Sequence, residues 1–506
     1  MILELIGHDY KYAVEQVLLT LFPDERPVYS ENCDVEAVAA GENDPRARVR
    51  LSHGEKYSTA TTLLWYEGVR YEGRARSLAS DSVDSLTWNR NMQKILKLSF
   101  YRAATAATGK TPPWGALTGI RPGKRATALL ETGASPAKVR RVFEREYEVA
   151  PRRAALCINT AQAALEAKAG LERRDICLYV GIPFCPTRCT YCSFVALDVE
   201  KSTRLLEPYL AALTQEINAT AAIVRALGLC IVSLYIGGGT PTTLSTAQLR
   251  ALTETLAAAF DLSHLQEYTV EAGRPDTIDL AKLQILQAAG VDRISINPQS
   301  MEDTVLAAIG RRHTAADIYE AVEMAQSVGF PVLNMDLIAG LPADTPAGFA
   351  RTLDQVLVFG AENITVHTLA RKRGAFLTAD KIQIPGPEEM ARMLDTAERA
   401  LTGAGYRPYY LYRQKFTAGG FENVGWSKPG DENLYNIAIM EELTSIIGLG
   451  AGAATKLVNP HTGRIPRKYN PKYPLEYTEG IDRILASKEL IREFYLQEVF
   501  RHGTDV

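Results

Sequence analysis

The chain lacks a dominant charge of either sign: its 506 residues carry a net charge of only −3, which argues against nucleic acid as the default partner. Long apolar runs are missing too, and no stretch approaches the roughly 18 residues a membrane-crossing helix needs. The opening MILELIGHDY does not read as a secretory signal. Seven cysteines make an odd number, and three of them crowd one loop. A disulfide framework is therefore not expected, and a cytoplasmic, reducing location is. What the chain has in quantity is apolar residues, 46%, enough for more than one core and for two or three domains.

The crowded loop is GIPFCPTRCTYCSF, residues 181–194, which sets Cys185, Cys189 and Cys192 in a Cys-x3-Cys-x2-Cys run straight after the apolar strand DICLYVG. Three thiolates at that spacing can wrap one corner of an iron–sulfur cubane. A four-iron cluster normally takes four cysteines, so three leave one iron coordinatively open, where a metal site does chemistry. A partial zinc site or buried thiols are the alternatives on spacing alone. Zinc favours paired Cys-x2-Cys, and no second pair or histidine partner follows. Cys33, Cys157, Cys177 and Cys230 lie singly in apolar or distant segments and are expected to hold no metal.

Around this loop the chain reads as α/β. From Asp175 to about Gly386 six strand-like runs (DICLYVG, IVSLYIG, EYTVEA, VDRISINP, PVLNMDLIAG, NITVHTL) alternate with helical patterns long enough for crossovers. Such a pattern predicts a partial (β/α)6 TIM-like barrel over 173–386, with its chemistry at the C-terminal ends of the strands. Residues 1–172 read as an N-terminal α+β domain with a long helix over LTWNRNMQKILKLSFYRAATAATG. Within it, Arg121, Lys124 and Arg125 follow a Pro/Gly-punctuated loop and suit an anion near a helix N-terminus, or simply solvent. Residues 387–506 form a C-terminal α+β extension expected to cover the barrel mouth. In it Tyr409, Tyr410, Tyr412, Phe416, Phe421 and Trp426 offer either a wall for a flat ligand or a sheet packed on a core.

The cysteine loop and its flanks, Tyr179, Ile182 to Cys185 and Tyr191, resemble the cluster loop of radical S-adenosylmethionine (SAM) enzymes, in particular the coproporphyrinogen dehydrogenase branch. The block 1–172 resembles the N-terminal region of that family's HemZ-type members. The resemblance implies that the open iron binds the amino and carboxylate groups of SAM, and that an electron from the cluster cleaves SAM to a 5′-deoxyadenosyl radical; the cofactor supplies the hard chemistry. It assigns Tyr179 and Tyr191 to the cofactors and gives Tyr179 and Glu271 catalytic parts. The GGGTP turn, with Gly238, Gly239 and Thr240, and the carboxylate of Glu271 would hold the SAM on the cluster, because glycines let a backbone approach a ligand closely. A second SAM would lie on Gln299, Arg311, Asp336 and Ala370, with Asp336 for its ammonium and Arg311 for its carboxylate. The SIIGLGAGA run, 445–453, resembles the segment that closes the adenosine pocket. Arg371, Lys372 and Arg373 suit the propionates of a tetrapyrrole, or a solvated turn.

Three departures stand against this pattern. Gly273-Arg274-Pro275 replaces the usual Asn-Pro or Asp-Pro turn, Gly181 replaces a histidine, and Phe194 replaces a fourth cysteine, a replacement shared with heme chaperones. The implied activity is oxygen-independent decarboxylation of two coproporphyrinogen III propionates to vinyls, giving protoporphyrinogen IX in heme biosynthesis. Implied partners are the tetrapyrrole and an electron donor such as flavodoxin or ferredoxin. A heme-binding chaperone is the rival, although its C-terminal His-Asn and Tyr-Trp pattern has no match in ENLYNIAIM. A radical SAM tetrapyrrole methyltransferase is a third reading that the motifs do not separate from the first.

Overall fold

The computed structural model describes residues 1–29, 45–78, 84–192, 197–370, 384–414 and 420–500. The expectations for Cys33, Phe194, Arg371, Lys372, Arg373 and Phe416 lie outside the described residues. The chain groups into two compact units, Met1–Ile158 with Tyr412–Glu422, and Asn159–Leu411 with Asn423–Val506.

The first unit is built on a five-stranded sheet, ordered β2-β1-β3-β4-β5. Its strands are β1 (Ile2–Ile6), β2 (Val28–Tyr29), β3 (Arg46–His53), β4 (Tyr57–Tyr66) and β5 (Val69–Leu78), with α1 (Lys11–Leu21) after β1. The stretch LLWYEGVRYEG is a hairpin: Glu67 and Gly68 both take positive φ (50° and 76°), which turns a chain over two residues with the twist of the flanking strands. The long helix α2 (Ser85–Thr108) begins where Asp84 accepts the Leu86 and Thr87 N–H groups at 3.0 Å. It ends at left-handed Gly109. Its face presses onto β5 at Gly73, where a Cβ would stand 2.0 Å from the Ser99 carbonyl oxygen. Leu3, Leu18, Val49, Leu64, Leu96 and Phe100 fill the core between them. Three helices follow: α3 (Pro122–Glu131), α4 (Pro136–Glu146) and α5 (Pro151–Ala169). Arg125, expected to face an anion or solvent, lies over the Tyr147 ring at 4.6 Å. Deep in this unit Arg153 pairs with Glu422 at 2.7 Å, and Trp114 donates its indole N–H to the same carboxylate at 2.6 Å.

The second unit is the barrel. Its six parallel strands are β6 (Asp175–Ile182), β9 (Cys230–Gly238), β10 (Glu267–Gly273), β11 (Arg293–Ile296), β12 (Val332–Ala339) and β13 (Asn363–Thr368). They pair in chain order. The crossovers include α6 (Val199–Leu227), α7 (Thr246–Ala259), α8 (Leu280–Ala288), α10 (Ala315–Val328) and α11 (Pro346–Val358), with short α9 (Asp303–Ala308) ahead of α10. A two-residue pair, β7 (Phe184–Cys185) and β8 (Leu197–Asp198), brackets the cysteine loop. These strands read as continuous apolar runs because both faces are covered. The few polar side chains on them, such as Glu271 and Asp336, therefore stand out.

The sheet does not stop at six strands. After α12 (Pro387–Gly403), β14 (Arg407–Arg413) and β15 (Glu422–Ser427) extend it beyond β13, the latter antiparallel to it. After α13 (Leu434–Glu441), β16 (Ser445–Leu449) returns to pair parallel with β6, and β17 (Ala454–Lys456) and β18 (Arg467–Tyr469) continue outward. Short helices α14 (Pro474–Glu479), α15 (Ile481–Ser487) and α16 (Glu489–Phe494) pack along α6. Tyr409, Tyr410 and Trp426 are buried in this sheet, and a Cβ at Gly425 would strike the Tyr410 ring at 1.9 Å. These aromatics pack a core rather than line an open wall. Among the described residues no helix is long and apolar enough to cross a membrane.

Candidate cluster and cofactor site

The cysteine loop leaves β6 at the C-terminal end of the barrel and is tied down on three sides. From the glycine turn after β9, Gly239 N–H donates to the Ile182 carbonyl at 2.8 Å and Thr240 N–H to that of Phe184 at 2.7 Å. A Cβ on Gly239 would stand 2.5 Å from the Phe184 carbonyl oxygen, so only glycine permits this approach. The Thr240 hydroxyl donates to Cys185 Sγ at 3.4 Å. From the other side Thr190 N–H donates to the carbonyl of Ile309, at the end of α9. Cys189 is buried, while Cys185 and Cys192 are half-buried. Burial pushes the Cys185 thiol up to about 11, against the pull of Thr240.

A third anchor comes from the residue that departs from the expected turn. Arg274, 3% exposed, holds Asp276 with a two-pronged fork (2.9 and 2.7 Å) and donates from Nη1 to the Thr187 carbonyl and hydroxyl at 3.1 and 2.7 Å. That nitrogen lies 3.9 Å from Cys189 Sγ.

Glu271 sits two residues before the end of β10, its Oε1 accepting the Tyr235 hydroxyl at 2.6 Å and its carboxylate also taking the Gly238 N–H. Burial raises this carboxyl to about 7, opposed by Tyr235 and reinforced by nearby Asp336. Beneath it Tyr179, Tyr235 and Tyr435 stack at 4.5 to 6.1 Å between ring centroids, with Cys177 and Ile446 packed around them. Tyr179 reaches Gly238, where a Cβ would meet its hydroxyl at 3.3 Å.

Gln299, Arg311, Asp336 and Ala370 do not form one tight group. Gln299 has φ of 65° and bridges to β12 through its backbone, accepting from Ile338 at 3.1 Å and donating to Asp336 at 2.9 Å. Its side-chain Oε1 is buried without a partner. Arg311 turns toward the cysteine loop: Nη2 donates to the Tyr191 hydroxyl at 3.1 Å, Nη1 to the Asn297 carbonyl at 2.8 Å, and the guanidinium also bonds Cys189. Its Nε is buried without a partner. Asp336 faces the barrel interior, accepting from Asn334 at 3.0 Å, with His367 Nε2 at 3.7 Å. Ala370 is buried after β13.

The Radical SAM superfamily model matches residues 179–356. The oxygen-independent coproporphyrinogen-III oxidase-like protein HemZ of Bacillus subtilis is 34% identical over 94% of this chain and 95% of its own length. The chain belongs to the radical SAM superfamily as a HemZ-type member. The heme chaperone HemW of the same organism is 31% identical over 54% of this chain and 69% of its own. The solved coproporphyrinogen III oxidase HemN of Escherichia coli, a radical SAM enzyme, matches with a TM-score of 0.51 and 28% identity over 64% of this chain and 73% of that one.

The family's cofactors are a 4Fe–4S cluster and SAM, and the residues present fit both. A thiol that burial keeps neutral needs the metal's positive charge to become a ligand. The buried, unpartnered Gln299 Oε1 and Arg311 Nε are polar groups that a ligand at the mouth would satisfy.

Reading the sequence missed the residues that hold the site. From α6, Tyr209 donates its hydroxyl to the Gly181 carbonyl at 2.5 Å and accepts the Ala451 N–H at 3.1 Å. One turn pair further on, fully buried Glu216 accepts from Gly450 N–H (2.7 Å), Tyr477 (2.5 Å), Asn470 (2.8 Å) and Lys488 (2.7 Å). The glycine-rich segment after β16 is thus fixed from α6 and the C-terminal helices. Gly450, at φ 89°, has no room for a side chain: a Cβ would lie 2.5 Å from the Gly181 carbonyl. A polar residue at an inward position of a long amphipathic helix was the available signal.

Proposed function

We propose that this protein is an oxygen-independent coproporphyrinogen III decarboxylase of heme biosynthesis, acting in the reducing cytoplasm. In the reaction, a hydrogen atom leaves the β-carbon of a propionate, the carboxylate leaves as carbon dioxide, and the remaining electron passes to an acceptor; two turnovers leave two vinyl groups. Cys185, Cys189 and Cys192 would hold the cluster. The cluster and SAM, when bound, supply the hydrogen-atom abstraction. This chain's part is to bind and orient. Glu271 and the turn Gly238-Gly239-Thr240 would take the ammonium of SAM, with Tyr179 and Tyr191 lining the cofactors. Gln299, Arg311, Asp336 and Ala370 would take a second amino-acid-shaped ligand, for which SAM is preferred over a propionate.

The observation that carries this reading is the pair of buried, unpartnered groups, Gln299 Oε1 and Arg311 Nε, both between β11 and α10, with Arg311 bonded to Tyr191 of the cysteine loop. They favour a second polar ligand beside the first SAM, which a catalytic member uses. Residues 1–172 would serve as an accessory domain, 173–386 as the catalytic barrel and 387–506 as its cover. Electrons would come from a donor such as flavodoxin or ferredoxin.

The test is anaerobic incubation of the reconstituted protein with SAM, reductant and coproporphyrinogen III, followed by product masses. Stepwise loss of two carboxyl groups is expected. Tight heme binding without any decarboxylated product would replace this reading with heme delivery.

A further inference from the structure

We propose that Arg274 is a positioning residue that fixes the cluster loop and raises the reduction potential of the cluster. The proposal rests on Cys185, Cys189 and Cys192 being the cluster's ligands. It starts from the backbone: Gly273, at φ 64°, turns the chain off β10 so that the next side chain points back beneath the loop. The Arg274 side chain is buried at 3% exposure, and its contacts divide the guanidinium into two ends. Nε and Nη2 are spent on the two oxygens of Asp276, at 2.9 and 2.7 Å. A planar fork held on both prongs cannot swing. Nη1 is thereby aimed at the loop, where it meets the carbonyl and hydroxyl of Thr187, and it lies 3.9 Å from Cys189 Sγ.

The orientation has an electrostatic consequence. Carboxylate and guanidinium neutralise each other in total, but the positive end faces the sulfur and the negative end faces away. Arg311, held on the Tyr191 hydroxyl and the Asn297 carbonyl, bonds the same thiol. Cys189 therefore has two buried guanidinium groups beside it, 3% and 9% exposed. Neighbouring His313, buried with neither ring nitrogen partnered, is pushed down to about 4 by burial and by Arg311 and adds no third cation. N–H donors and positive charge beside a cluster sulfur stabilise the reduced, more negative cluster, so they raise its potential. The effect is strongest where water is excluded.

The experiment compares full-length parent protein with Arg274→Gln and Arg274→Lys, each reconstituted anaerobically. Iron and sulfide are assayed, and the midpoint is read by a redox titration followed by electron paramagnetic resonance, without SAM or substrate. The parent should carry about four irons. Arg274→Gln should shift the reduction equilibrium at least tenfold toward the oxidised cluster, 59 mV for one electron. Arg274→Lys, which keeps the charge but cannot hold Asp276 and the loop together, should shift it less in the same direction. If Arg274→Gln fails to hold iron, Arg274→Lys decides: a lower midpoint supports the proposal and an unchanged one overturns it. A filled cluster at the parent's midpoint in Arg274→Gln overturns it outright. A parent without a cubane on the three cysteines overturns the ligand assignment and this proposal with it.

Discussion

Replacing Glu216 by alanine removes a carboxylate that is 0% exposed and leaves the Lys488 ammonium, 3% exposed, without its ion-pair partner at 2.7 Å. Lys488 retains a hydrogen bond to the Gly448 carbonyl at 2.7 Å, but a carbonyl does not offset a full charge. Breaking one side of a buried pair costs about 3–5 kcal/mol. At about 2.1 cal/mol/K of unfolding entropy per residue, a unit formed by Asn159–Leu411 with Asn423–Val506 loses roughly 4–7 °C in Tm. The second variant to make is Glu216→Ala with Lys488→Met, which removes the stranded charge as well. It should recover about half the loss, because an uncompensated buried ion is costlier than none. Function should suffer in parallel: Gly450 N–H loses its acceptor at 2.7 Å, the segment after β16 loosens, and SAM affinity falls roughly tenfold, the scale of a hydrogen bond to a charged group. Thermal unfolding and calorimetric titration with SAM read the two effects. A single variant within about 1 kcal/mol of the parent, or a double variant no more stable than the single, would refute the reasoning.

Three further outcomes follow from the same geometry. Burial raises the Glu271 carboxyl from its ordinary 4.5 to about 7. The native state therefore binds that proton more tightly than the unfolded chain, and stability falls as pH rises from about 4.5 to about 7. If Glu271 takes the SAM ammonium as proposed, SAM should bind up to tenfold tighter per pH unit up to about 7 and level off above; Glu271→Gln should flatten both slopes, and a flat parent profile between about pH 6 and 7 would contradict the assignment. Gly239→Ala places a Cβ 2.5 Å from the Phe184 carbonyl and 2.8 Å from that of Ile182, backbone atoms that cannot yield. It should lose most cluster iron on reconstitution, and parent-like iron content would count against the tight turn. In the first unit, Glu422→Ala removes the carboxylate that pairs with buried Arg153 and accepts from Trp114 and should cost about 3–5 kcal/mol in urea unfolding; a loss below about 1 kcal/mol would show the pair contributes little.

What the sequence revealed and what it hid divide along a physical line. The three cysteines stood out because they lie in one short loop, so their spacing survives in the linear chain. Glu271 and Asp336 stood out as candidates because a carboxylate in an apolar strand has no cheap structural reason to be there. The six barrel strands were legible through their alternation with helices. The supports were not. Glu216 and Gly450 are 234 residues apart, Glu216 and Tyr477 261, and Trp114 and Glu422 308, distances over which no spacing rule operates. Arg274 was visible only as a departure from a familiar turn, because its partners Thr187 and Cys189 lie 87 and 85 residues upstream. The orientation of the groups proposed for the second pocket was hidden for a related reason. A place in the loop between α9 and α10 does not say which way the Arg311 guanidinium turns, and the Tyr191 hydroxyl and Asn297 carbonyl decide that. Groups that meet a shared ligand are constrained locally and leave a pattern, whereas groups that hold them are chosen by contacts made only after folding. A departure from the pattern beside a ligand loop is therefore where a support should be sought first.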